Sequence, residues 1–155
     1  MTRTDARGSL RIWLVALAAC WGCGGAGDGY QRFAVQGTVE HDGKPLKTGV
    51  ITFLPGGDGA AGTANVVDGA FSIPTTEGLS PGAYRVEVYS IQPTGKKIPS
   101  SDDPSIQVDE TANIVSKNFN AATTLKAEIP PGGPKEPLAF KVASPGPESK
   151  RRGSR

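Results

Sequence analysis

The chain has 155 residues, with 21 Gly, 13 Pro, two Cys, one His, and 17 Lys+Arg against 15 Asp+Glu. Residues 1–19 hold three of the Arg and one of the Asp, so the rest carries 14 charges of each sign, with Lys150, Arg151, Arg152 and Arg155 in the tail. That leaves the domain no basic face for phosphates, which argues against nucleic-acid binding, and two cysteines three positions apart build neither a disulfide framework nor a metal cluster.

The amino-terminal segment carries Arg3, Arg7 and Arg11, then an apolar run from Ile12 to Ala19. This is too short for a membrane span, which needs roughly 20 apolar residues, and has the form of an export signal. Leu17-Ala18-Ala19-Cys20 resembles the lipobox of bacterial lipoproteins, in which small residues precede a cysteine that receives a diacylglyceryl thioether before cleavage on its amino-terminal side. The resemblance implies lipid attachment at Cys20 and removal of residues 1–19. Cys23 is the rival, but Cys20-Trp21-Gly22 lacks an aliphatic residue three positions before it. A secretory signal cleaved after Ala19 without lipid is the other alternative. On the lipoprotein reading the acyl chains, at roughly 0.8 kcal/mol per buried CH₂, hold the protein at a membrane surface while its domain stays in water.

Residues 20–29 read as a flexible Gly-rich tether, and residues 144–155 as a disordered basic tail of Pro, Gly, Ser and charge. Between them, residues 30–143 have the size of one domain with a single core. Val35 to Leu54 reads as two extended segments joined by a hairpin turn: Phe33, Val35 and Val39 share one face, Gln36, Thr38 and Glu40 the other, and Ile51 and Phe53 resume the pattern after Asp42-Gly43. Pro55 to Gly62 is too glycine-rich for regular structure. Thr63–Val67 and Gly69–Ile73 suggest a second hairpin around Asp68-Gly69, with Phe71 and Ile73 inward.

Ala83–Ser90 has the clearest alternation, with Tyr84, Val86 and Val88 inward and Arg85 and Glu87 outward, and the Tyr84 hydroxyl is expected to bond a loop backbone. Gln92 to Thr111, with Pro93, Gly95, Pro99 and Pro104, reads as a long irregular loop with a weak β segment at Ile106–Val108. Three further strands are expected at Asn113–Asn120, Thr124–Ile129 and Leu138–Val142. No window sustains a helical period, so the pattern predicts an all-β domain, an antiparallel β-sandwich of seven or eight strands.

Gly37 to Val39, Asp42-Gly43-Lys44-Pro45-Leu46, Gly49 to Phe53, Asp68 to Phe71 and Pro81 to Val86 occur in an order and spacing that resemble the carboxypeptidase regulatory-like domains. The resemblance covers about 50 residues and extends more loosely from Asn113 to Ile129. It implies a transthyretin-like, or prealbumin-like, sandwich, an accessory module of secreted and surface proteins, and it supplies no catalytic residues.

The residues themselves give little chemistry. His41, beside Asp42-Gly43, reads as a solvated turn residue, and a single histidine argues against a His-dependent triad or a multi-histidine metal site. Asp102-Asp103 lacks the spacing of a calcium loop and reads as solvated charge. The glycine-rich loop lacks the Lys-Ser/Thr ending of a phosphate loop. Glu40, Glu87 and Glu128 are scattered outward carboxylates, and Tyr89 is a lone outward aromatic. The expected function is that of a non-enzymatic, lipid-anchored extracytoplasmic β-sandwich module with a structural, adhesion or protein-interaction role in the cell envelope, without cofactor or metal. It meets the membrane through its lipid and an envelope protein or polysaccharide through the Gln92–Thr111 stretch. The alternatives are a binding module for envelope carbohydrate or peptide, and a carboxylate hydrolase.

Overall fold

Along the first strand Val35 and Val39 are buried while Gln36 and Thr38 are exposed, and the same period of two runs through Ala64 and Val66, Phe71 and Ile73, and Tyr84, Val86 and Val88. The computed structural model describes residues 29–146, which form ten strands. They are β1 (Val35–His41), β2 (Lys44–Pro45), β3 (Thr48–Pro55), β4 (Gly62–Val67), β5 (Ala70–Ile73), β6 (Gly82–Tyr89), β7 (Ile91–Pro99), β8 (Gln107–Asn113), β9 (Lys126–Ile129) and β10 (Leu138–Val142). Among the described residues the only helical pieces are 3-10 turns at Thr75–Glu77 and Lys117–Phe119.

Eight strands form one sheet in the order β10-β1-β5-β4-β3-β6-β9, with β2 attached to β1. A flat sheet would hold β10 and β3, four steps apart in that order, about 19 Å from each other. The rings of Phe140 on β10 and Phe53 on β3 have centroids only 5.9 Å apart, so the sheet curls over and closes on itself as a sandwich. The fold line is the junction of β4 and β5, which pair only at Val67 and Ala70. Phe53 also meets Phe71 and Tyr84, at 5.8 and 6.4 Å, and is fully buried. Its truncation to Ala would cost about 3–5 kcal/mol.

Both expected turns form, but neither closes a long hairpin. Asp42 and Gly43 have φ of +49° and +77°, as a two-residue primed turn requires, yet β2 pairs with β1 only at Glu40–Pro45 and His41–Lys44. The chain then leaves, because β3 takes β4 and β6 as its neighbours. Residues 46 and 47 brace the second turn instead: Asp68 N–H donates to the Lys47 carbonyl and Gly69 N–H to that of Leu46. β10 runs parallel to β1, from Gly37–Leu138 to His41–Val142, an exception to the antiparallel expectation.

Two expectations are corrected. Gln92–Thr111 is no irregular loop, since β7 and β8 pair as an antiparallel ribbon outside the main sheet. Pro93, Gly95 and Pro99 conceal it in sequence, but a two-stranded ribbon has free edges where proline leaves no ladder bond unmade, and the register shift between Pro93 and Lys97 absorbs the glycine. Asn113–Asn120 is not a strand beyond its first residue. The Asn113 side chain accepts from the amides of Ser90 and Val115, and the Asn120 side-chain amide donates to the carbonyls of Val115 and Ser116. These local bonds replace a ladder and fold the segment over buried Val115.

The domain has two distinct ends. Residues 29–34 approach β1 from the end where Phe33 bridges Leu79. His41 closes β1 at the other end, where Thr48 opens β3 and Tyr89 closes β6, and the ribbon departs from there.

Candidate interaction surface

The base of the ribbon borders a groove of about 520 Å³ lined by His41, Lys44, Leu46, Thr48, Gln92 and Ile114 among others. Gln92 is fixed there by donating to Thr48 Oγ1 at 2.7 Å and Ser90 Oγ at 3.1 Å, and buried Ser90 donates to the Thr48 carbonyl at 2.6 Å. The ribbon is thus tied to the sandwich by side chains as well as by the chain itself.

His41 is not a solvated turn residue. Its side chain is 17% exposed, and Nε2 lies 3.2 Å from the Ile114 carbonyl, which can only accept, so Nε2 carries the proton. The β1–β10 pairing brings Ser144 alongside. Its hydroxyl donates to Asp42 Oδ2 at 2.6 Å, its amide to Oδ1 at 3.2 Å, and its Oγ is 3.2 Å from His41 Nε2. The two hydrogen bonds from Ser144 chiefly, with a smaller contribution from His41, hold the Asp42 carboxyl below the ordinary carboxylate range. The constellation joins serine, histidine and aspartate, but a nucleophilic triad needs the carboxylate on Nδ1 and the serine on Nε2. Here both partners face Nε2 and the serine bonds the carboxylate directly, so the geometry is that of a clasp on the chain leaving β10.

The ribbon groups several of the exposed large apolar side chains of the described residues. Ile98 and Val108 are cross-strand neighbours, 41% and 40% exposed, and Ile106, two positions before Val108, is 55% exposed. Charges flank them: Lys97 pairs with Asp109 at 2.9 Å, and Glu110 accepts from Thr94 Oγ1 at 2.6 Å. At the tip Asp103 accepts from the Ser105 hydroxyl and amide, which lowers its pKa and makes it a turn-former rather than an ion ligand.

The other sequence candidates disperse. Among the described residues no group of three His, Cys, Asp or Glu is placed to hold a metal ion. Glu40 faces Lys141 at 3.6 Å on one half of the sheet and Glu87 pairs with Arg85 at 3.2 Å on the other. Glu128 is in register with Ala83, four positions from Glu87, which is about 13 Å along the strand. Tyr89 is half-buried and donates to Glu87 at 3.2 Å; its partial burial and then the Glu87 charge push its phenol up. Cys20 and Cys23 lie outside the described residues. No described helix is long and apolar enough to cross a membrane. Comparison with family models, with curated proteins and with solved structures finds no match to this chain.

Proposed function

We propose that the chain is a non-enzymatic, lipid-anchored extracytoplasmic module that joins its membrane to another component of the cell envelope through the β7–β8 ribbon. The supporting observation is that the ribbon, with Ile98, Ile106 and Val108 exposed, leaves the sandwich at the end opposite to where residues 29–34 enter it. A lipid at Cys20 would therefore tether the domain by the end opposite the ribbon and leave the ribbon free to reach another component. Exposed apolar side chains grouped on a projecting element mark contact sites, since elsewhere they only promote aggregation. The resemblance to carboxypeptidase regulatory-like domains agrees with an accessory role.

The test uses the ladder itself. Replacing residues 93–111 by Asn-Gly closes the ribbon on the hydrogen-bonded Gln92–Ala112 pair and leaves the sandwich intact. In intact cells the shortened protein is expected to melt as the wild type does and to lose the crosslinked species that the wild type forms. An unchanged crosslinking pattern overturns the assignment to the ribbon.

A further inference from the structure

The two edges of the ribbon are chemically unequal. Ser100 N–H bonds the Ile106 carbonyl and Ile114 N–H that of Ser90, so the even-numbered residues along β8 turn their backbone groups toward β7. By the alternation of an antiparallel ladder, Gln107, Asp109 and Thr111 turn theirs outward. On β7 the outer edge is guarded: Pro93 and Pro99 have no N–H, and the register shift between Pro93 and Lys97 breaks its line. β8 has no proline and no register shift of its own over seven residues, longer than the four of β9 or the five of β10 that end the main sheet. The stretch from Ile91 to Asn113 carries Lys96 and Lys97 against Asp102, Asp103, Asp109 and Glu110, a net charge of −2.

Resting on the proposed contact through the ribbon, we propose that its mode is strand addition: an extended, basic segment of the partner pairs with the free edge of β8. Backbone groups of Gln107, Asp109 and Thr111 supply the hydrogen bonds. Val108 and Ile106 receive apolar side chains on alternate positions, and the acidic balance selects lysine or arginine on the others. A second copy of this chain is the poorer occupant, because antiparallel β8 pairing centred on its outward residues sets Asp109 against Asp109.

The probe is a nine-residue peptide of alternating valine and lysine added to the full-length protein, read by amide hydrogen exchange. Slowed exchange at Gln107, Asp109 and Thr111 is expected, with binding at least tenfold weaker for the backbone N-methylated peptide and for the peptide with glutamate in place of lysine. Thr111→Pro and Gln107→Pro each remove one outward N–H without touching the β7 ladder, and either is expected to weaken binding tenfold, whereas Thr111→Val keeps it. Protection at β9 or β10 instead, no binding at millimolar peptide, or binding indifferent to both proline variants overturns strand addition. If the cellular crosslinks to the ribbon survive such a result, the contact through the ribbon stands and only its mode fails; if the Asn-Gly variant also keeps them, both fail.

Discussion

The Tyr84 hydroxyl sits 2.9 Å from the carbonyls of both Ala60 and Ser80 and 3.0 Å from Ser80 Oγ, which in turn accepts from the Ala60 amide at 2.8 Å. One phenol on β6 thereby helps to fix the glycine-rich connection between β3 and β4, beside the bond from the Gly56 amide to the Ala83 carbonyl at 2.9 Å. Tyr84→Phe keeps the ring against Phe53 but orphans buried acceptors. It is expected to lower stability by about 1–3 kcal/mol in chemical denaturation, and an unaffected midpoint would show that water replaces the hydroxyl.

Gly37 and Gly43 separate two reasons for glycine. A Cβ at Gly37 would collide with the Leu138 carbonyl oxygen and lie 2.7 Å from Phe71 Cζ, so Gly37→Ala must push β10 away from β1. Gly43 has φ of +77° and open space around it, so Gly43→Ala meets only backbone strain. Thermal melts are expected to rank Gly37→Ala, at about 3 kcal/mol, well below Gly43→Ala, at about 1–2 kcal/mol. The reverse order would mean that β10 does not pack where the register places it.

The clasp at Asp42 sets a pH dependence. Its carboxyl is held below the ordinary 3.8, so its contribution is complete above that value and is lost as the pH falls through the lower folded value. The Ser144 amide resonance is expected to stay constant down to about pH 4 and to move only below it. Ser144→Ala should bring the Asp42 titration back up toward 3.8. An Asp42 titration identical in both proteins would mean that the clasp does not form in solution.

The proposed anchor has a direct assay. Metabolic labelling with a fatty acid is expected to tag the wild type and Cys23→Ala but not Cys20→Ala. A tag that survives in Cys20→Ala and vanishes in Cys23→Ala assigns the lipid to Cys23 instead.

How much of this was in the sequence depends on how local each cause is. The inward faces of β1, β3, β5, β6 and β10, and the bonding of Tyr84 to a loop backbone, follow from a period of two and a buried hydroxyl's need for a partner, and both can be read along a few residues. Asp42-Gly43 and Asp68-Gly69 likewise announce positive φ by residue type. Which strands those turns would join was not local: β1 leaves β3 for β5 and a parallel β10 about 100 residues later, a choice made by how Phe53, Phe71 and Phe140 fill one interior. The ribbon was hidden because its strands bury no face, so no apolar alternation marks them, and its prolines spoke against strands that only cross-strand pairing could rescue. His41, Asp42 and Ser144 meet only because β10 lies along β1, and no spacing within the chain encodes a contact that the sheet order alone creates.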